Sequence, residues 1–392
     1  MQQSPSEFRN ILCIRADNMG DVIMSGPAMR ALKASFQARI TLLTSKMGSL
    51  AAPHLAEIDD LITADVPWVK TGHLPTPGEC FVLLENIKSR KFDLVVIFTV
   101  YSQSALPAAM LSYLAGIPRR LAYCRENPYY LLTDWVPDKE PYTEIVHQVE
   151  RDLSLVESIG AKALDDRLHV TYSPAARKSA LHRAALTGVD VRRPWILLHP
   201  GVSDKKREYP VQYWIEAATL LHRELGMQLV ITGSGKEVPL AGEIQRGVSF
   251  PVYSLAGELS MDEFIGFVSE SALVISVNTS TAHIAAALKR PLIVLYARTN
   301  PQHTPWKGRA EVLPFSIEGG QASRNEVIRW VDKTLYAVKV PYPDAERILA
   351  AARKLLYREI AANAGAFAQD SFREHISSVN IHDLPHDGET HA

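Results

Sequence analysis

One alternation, repeated twice, dominates this chain: short runs rich in Val, Ile and Leu, each followed by a stretch with helical spacing. It first appears as ILCIRA from Ile11, the turn DNMGD, and VIMSGPAMRALKASF with Val22, Met29, Leu32 and Phe36 in helical register. ARITLLTS (38–45), the short helical piece AAPHLAEI, a charged helix, DLVVIFTV (93–100) and the helix SQSALPAAMLSYLAG continue it, the last stopping at Gly116 and Pro118. The segment 144–161 closes this half as an amphipathic helix with Val146, Val149, Leu153 and Val156 on one face. A second series runs through WILLHPG (195–201), MQLVITG (227–233), ALVISV (272–277) and PLIVLYA (291–297), with helical stretches between them. Strands that are apolar throughout are buried on both faces, so the pattern predicts two α/β halves, each a parallel sheet covered by helices.

A length of 392 residues agrees with two such units. The polar and then helical stretch 166–194 reads as the link between them, and two further helical patterns cover 325–338 and 344–367. The expected divisions are 1–175, 176–340, a helical extension 341–370, and a polar, aperiodic tail 371–392 expected to be disordered. Lys and Arg (42) balance Asp and Glu (43), which argues against a global polyanion binder. Three cysteines, with no C-x-x-C pair, predict neither a disulfide framework nor a structural zinc site. No leader pattern or membrane-length apolar run occurs, so a cytoplasmic protein is expected, with room for peripheral contact with the inner membrane.

Three loops carry the candidate chemistry. In DNMGD, Gly20 permits a tight turn and Asp21 lies at the edge of the sheet where ligands collect; it is either a general base or the cap of the helix that follows. A dinucleotide-binding glycine fingerprint and a P-loop are both absent. In HPGVSDKKREYP (199–210), Lys205, Lys206 and Arg207 follow a loop containing Gly201 and Ser203, a pattern that suits a phosphate or simply a solvated loop. TGSGKE (232–237) repeats the theme with Gly233, Ser234 and Gly235; Glu237 either meets ribose hydroxyls or starts its helix. In SVNTSTAHIAAAL (276–288), Asn278, Thr279, Ser280 and Thr281 precede a helix whose first amides form an anion site; His283 on its first turn is a functional group or an ordinary helix histidine.

In this order, together with FDLVVIF, RRLAY, VHQVERDLSLVESIGA, GELSMDEF and PLIVLYARTNP, these segments resemble glycosyltransferase family 9, which contains the ADP-heptose–lipopolysaccharide heptosyltransferases. The resemblance spans about residues 10–338. It implies the GT-B architecture, two Rossmann-like domains facing across a cleft, the first for the acceptor and the second for the nucleotide sugar. It also implies an inverting, metal-independent transfer with no cofactor, from a nucleotide sugar, most readily ADP-heptose, to a lipopolysaccharide-core or other surface glycolipid.

On that resemblance Asp21 is the base, and Lys206 and Arg207 stabilise the departing diphosphate. Gly201, Ser203, Gly233, Ser234, Glu237, Gly257, Asn278, Thr279, Ser280, Thr281 and His283 line the nucleotide sugar. Asn18 and Gly20 lie on the acceptor side, and Arg119, Arg120 and Arg125 either meet a phosphorylated acceptor there or are ordinary surface arginines. Two departures stand out. Asn278-Thr279-Ser280 replaces the family's Asp-Ser-Gly or Asp-Thr-Gly, and Arg298 stands where a small residue or proline is usual, which would add a cation near the phosphates. Loss of that Asp leaves room for a different donor sugar, or for a nucleotide-sugar-binding protein with impaired catalysis.

Overall fold

The computed structural model describes residues 8–70, 72–317 and 323–364, the side chains of 358–364 excepted; the expected tail 371–392 lies outside the described residues. In the first half, β1 (Asn10–Ile14), β2 (Arg39–Thr44), β3 (Asp60–Thr63), β4 (Leu94–Ile97), β5 (Arg119–Cys124) and β6 (Asp134–Pro137) form one parallel sheet in the order β3-β2-β1-β4-β5-β6. Register is set by apolar alignment: Ile11 pairs with Ile40 on one side and Leu94 on the other, all fully buried. The helices α1 (Met19–Phe36) and α4 (Gln148–Glu157) cover one face, α2 (Pro77–Ser89) and α3 (Leu106–Leu114) the other.

The second half repeats the plan. Its strands β7 (Trp195–His199), β8 (Gln228–Ile231), β9 (Tyr253–Ser254), β10 (Leu273–Val277), β11 (Leu292–Ala297) and β12 (Ala310–Phe315) lie in the order β12-β11-β10-β7-β8-β9. Its helices are α5 (Pro174–Leu186), α6 (Val211–Leu225), α7 (Val238–Gly247), α8 (Met261–Val268), α9 (Ser280–Ala287), α10 (Glu326–Thr334) and α11 (Ala345–Ala364). Both sheets have the doubly wound order, which reverses direction between β1 and β4 and between β7 and β10. Crevices at the carboxyl ends of those strand pairs are where ligands bind in such sheets.

Some local expectations change. AAPHLAEI makes one 3-10 turn, Ala52–His54, rather than a helix. The segment 144–161 becomes helical only from Gln148, because His147 caps it: its Nδ1 accepts the Val149 N–H at 3.1 Å, while the Val146 N–H goes to Glu140 at 2.7 Å. The stretch 166–194 is not merely a link. α5 packs along α8 so closely that a Cβ on Gly266 would lie 2.9 Å from the Arg177 backbone, so a division at 175/176 falls inside an element of the second half. α11 belongs there too, with Ile348, Leu349, Ala352 and Leu355 buried in the cluster that holds Trp214 and Leu221 of α6.

The two halves join through packing and buried polar bonds. One apolar cluster runs from α1 and α4 into α8 and α9. Gln302, fully buried after β11, reaches into the first half: its Nε2 donates to both Glu140 oxygens at 3.1 and 3.0 Å, and its Oε1 accepts the Tyr101 N–H at 3.2 Å. Glu140 is also ion-paired with Arg151, which holds Asp138 at 2.9 Å. Each of these buried groups finds its partner, which is the condition for such a network to hold rather than loosen an interface.

Candidate functional site

Asp21 sits in the first turn of α1, just past the carboxyl end of β1. Its two oxygens do different things. Oδ2 accepts the Asn18 N–H at 3.2 Å, so the capping role is real; Oδ1 faces the Arg15 guanidinium at 3.0 Å and His303 Nε2 at 3.5 Å. Burial works to raise the pKa of this carboxyl, but Arg15 and the hydrogen bonds from Arg15 and Asn18 prevail and hold it below the ordinary carboxylate range. Arg15, fully buried, also faces Asp17 at 3.2 Å, and Gln103 donates to Asp17 at 2.6 Å. For Asp17 burial and the neighbouring Asp21 charge outweigh Arg15, and its pKa moves up. Two carboxylates on one guanidinium are thus driven apart in acidity, Asp17 taking a proton more readily than Asp21.

Gly20 explains how the second half meets this base. A Cβ there would lie 2.9 Å from His283 Cδ2 and 3.6 Å from Ser280 Cα, so the absence of a side chain lets α9 start against the turn that carries Asp21. Thr279 precedes α9, and no side-chain oxygen caps that helix. The buried His283 has no partner for Nδ1, and desolvation lowers its pKa to about 3, so the ring is neutral. His303 is likewise pushed down to about 4 by burial, while Asn300 approaches its Nε2 at 3.1 Å.

The nucleotide-side residues separate into working and supporting groups. Arg207 lies across the crevice between β7 and β10, donating to the Asn278 carbonyl at 3.0 Å and to Ser203 Oγ at 2.6 Å. Lys206 instead pairs with Asp204 at 3.2 Å on the surface, and Lys205 is exposed. Glu237 is wedged between two glycines: a Cβ on Gly201 would meet its Cγ at 2.5 Å, and one on Gly233 its Cβ at 2.8 Å. Its Oε2 accepts the Ser234 N–H at 2.6 Å, so it starts its turn as well as standing at the crevice. Gly257 has φ +78°, and a Cβ on it would lie 3.1 Å from Gly235 Cα, so the position suits only glycine.

Four expectations are corrected. Arg119 and Arg120 open β5 and therefore lie at the opposite edge of the sheet from Asp21; Arg119 pairs with Asp134, and the buried Arg120 donates to the carbonyls of Ile117, Tyr130 and Leu131. Only Arg125, past the end of β5, faces the ligand edge, bonded to Tyr101 and Glu140 carbonyls. The Asn278 side chain does not point at a sugar. Its Nδ2 donates to the Ala297 carbonyl and its Oδ1 accepts the Ala297 N–H, both at 3.1 Å, a two-way clasp that requires an amide. Arg298 turns away to the Val338 and Leu335 carbonyls and stacks on Tyr336.

Residues 81–328 match the family model for glycosyltransferase family 9 (heptosyltransferase), well over half of the chain. The chain belongs to that family, and it is a glycosyltransferase. Among relatives in the family, lipooligosaccharide heptosyltransferase 2 of Haemophilus influenzae is 26% identical over 325 residues, covering 79% of this chain and 89% of the relative. The glycosyl transferase family 9 structure from Veillonella parvula superimposes with a TM-score of 0.72 at 16% identity, over 91% of this chain and all of that one. The structure of Escherichia coli ADP-heptose lps heptosyltransferase II gives 0.66 at 23% identity, over 90% and 99%. Both neighbours share the two-domain GT-B fold.

Arg15, Asp17, Gln103, His303 and Gln302 escape the sequence reading. Arg15 and Asp17 leave a trace there, as a charge at the end of an otherwise apolar strand and as the first residue of the DNMGD turn. The others converge only in the folded chain.

Proposed function

We propose that this glycosyltransferase moves a heptose from ADP-heptose, with inversion and without a metal or other cofactor, onto a hydroxyl of a lipopolysaccharide-core or related surface glycolipid at the cytoplasmic face of the membrane. The observation that carries the reading is the junction at Gly20. It sets an ionised carboxylate, Asp21, against the uncapped start of α9, with Arg207 across the neighbouring crevice.

The acceptor hydroxyl gives its proton to Asp21 as its oxygen attacks the anomeric carbon. The bond from that carbon to the diphosphate breaks, and the diphosphate leaves with the electron pair. One base on one side and a leaving-group site on the other suit a single displacement, hence inversion. The α9 amides and the Arg207 guanidinium are fixed donors for the departing charge, the preorganised kind that costs little to rearrange during the reaction. In this reading the charge offered to the diphosphate is the protein's own, from the α9 amides and Arg207.

The test is release of ADP when purified protein meets ADP-heptose and a heptose-deficient core glycolipid, with other ADP- and UDP-sugars as alternative donors. Turnover with ADP-heptose that is lost in Asp21→Asn supports the reading. Tight ADP binding with no turnover on any donor and acceptor moves the assignment to a binding protein with impaired catalysis, the alternative raised by Asn278.

A further inference from the structure

Two cavities open at the carboxyl edge of the first sheet, and they share a wall. The first, about 270 Å3, lies at the switch point, lined by Asp17 from beyond β1 and Thr99 from beyond β4. The second, about 160 Å3, lies past the end of β5, beside Arg125 and Asp138. Ser102, Gln103 and Ser104 border both. The second cavity is completed from the other half of the molecule, by Asn325 and Val327 at the start of α10. Asn325 is tied in place there: its Nδ2 donates to the Ser102 carbonyl at 3.1 Å, and its Oδ1 accepts the Val327 N–H at 2.9 Å.

The first cavity combines an apolar wall, Trp68, Val69, Pro107 and Ala108, with a polar one, the make-up that packs the C–H face of a sugar ring and orients its hydroxyls. Among the described residues that line it, Asp17 is the one that carries a charge. Its oxygens are held without being used up. Oδ1 accepts Gln103 Nε2 at 2.6 Å, Oδ2 faces Arg15 Nε at 3.2 Å, and the Gln103 carbonyl is itself anchored by the Val100 N–H at 3.1 Å. A carboxylate offers about four acceptor positions, so lone pairs remain for ligand hydroxyls. Asp17 and Asp21 together carry one negative charge more than Arg15 neutralises, and an acidic sugar would set its own carboxylate against them. Because both carboxylates touch one guanidinium, a sugar with a hydroxyl on Asp21 has its ring at Asp17. The second cavity offers donors and acceptors together, in Arg125, Glu126, Gln103 and Asn325, which suits the hydroxyls of a neighbouring ring.

We propose that the acceptor is held as an oligosaccharide over two subsites divided by Ser102–Ser104: an uncharged terminal sugar on Asp17 beside Trp68, and the next sugar in the second cavity against Asn325 and Val327, so that the second half of the chain helps to bind the acceptor. The assignment rests on the glycosyl-acceptor part of the proposed function, but sugar binding is measurable with no donor present.

The experiment titrates the full chain calorimetrically with methyl heptoside, with a panel of methyl diheptosides linked through each ring hydroxyl, and with a methyl uronide. At least one diheptoside is expected to bind about tenfold or more tightly than methyl heptoside, and the uronide about tenfold or more weakly. Asp17→Asn, which keeps the shape, weakens monosaccharide and diheptoside alike by about tenfold. Val327→Trp fills the second cavity and reduces the advantage of the diheptoside to about twofold or less. Asn325→Asp keeps the cap of α10, removes the donor to Ser102 and lowers that advantage in the same way. The ratio of the two affinities is the readout that a merely loosened fold would leave unmoved. Circular dichroism shows each variant folded. A panel in which no diheptoside gains over the monosaccharide overturns the proposal, as does a gain that survives Val327→Trp, a uronide that binds as well as the heptoside, or Asp17→Asn that binds as wild type. If no donor turns over while these affinities hold, the transfer reading fails and the two subsites stand; if transfer proceeds and no diheptoside gains, only the two subsites fail.

Discussion

His303, from the second half, places Nε2 3.5 Å from Oδ1 of Asp21 in the first, across 282 positions of sequence. The surroundings of the base are therefore complete only when the halves are together. Asp21→Asn keeps the shape and the helix cap but cannot take a proton, and kcat is expected to fall by about 10²–10⁴-fold, the usual worth of a general base. His303→Ala is expected to lower kcat about tenfold with the donor KM unchanged, and to have no further effect in the Asp21→Asn background. Steady-state kinetics of the four-member cycle decide this; additive losses would show that His303 acts elsewhere.

Gly20→Ala tests the interface itself. The added methyl must displace the buried His283 ring, 2.9 Å away, or push α9 from α1. The expectation is a cost of about 1–3 kcal/mol, seen as a lower denaturant midpoint, with a loss of turnover larger than the loss of stability accounts for. A variant as stable and active as the parent would mean that the junction is looser than drawn.

Asn278→Asp restores the residue common in the family and should nevertheless harm this protein. A carboxylate cannot donate to the Ala297 carbonyl, so one arm of the clasp becomes an acceptor facing an acceptor. A loss of about 1–3 kcal/mol is expected from the unpaired buried carbonyl. Thermal unfolding measures it, and ADP-heptose turnover in the same variant shows whether the substitution restores a sugar contact.

Acid should destabilise the fold before the carboxylates titrate. His199 and His303, pushed down to about 4, and His283, to about 3, stay neutral in the folded protein but protonate near 6.5 once it unfolds. Between pH 6.5 and about 4 the unfolded chain therefore binds more protons, and stability falls as pH falls. His147, pushed down by burial, adds to this, whereas Asp17, Glu140 and Asp152, all shifted upward by burial, work in the opposite sense, since the folded state holds their protons more tightly. With four imidazoles against three carboxyls, Tm is expected to drop from pH 7 to pH 4.5, and to drop less in His199→Gln. A Tm that rises over that interval would contradict the assignment of neutral, buried imidazoles.

Arg207 and Lys206 should not be equivalent. Arg207 spans Ser203 and the Asn278 carbonyl in the crevice, whereas Lys206 is spent on Asp204 at the surface. Arg207→Ala is expected to cost about 10²-fold or more in kcat, in the range seen when a preorganised donor is removed, and Lys206→Ala less than about fivefold. Comparable losses would place Lys206 on the diphosphate instead.

The strand-rich runs and their helical partners were legible because apolar periodicity is a local property of the chain. The same holds for the turn at Gly20, the amides ahead of Ser280 and the cluster at Lys205–Arg207, all of which follow strands whose ends face the crevices. β5 was harder to place, since it opens on two arginines, and their position at its start sends them to the wrong edge for a ligand. Nor does local sequence distinguish Arg207 from Lys206, or tell that Asn278 turns toward Ala297.

What the sequence determined by itself is the repeated α/β plan, the loops that can carry chemistry, and the family pattern those loops share. The tertiary structure alone decided which side chains share a field. His303 on Asp21, Gln302 on Glu140 and His283 on Gly20 are contacts between residues that only the packing of one half on the other brings within reach. Their effect depends on burial, which strengthens a charge's interactions as it removes the water that would screen them.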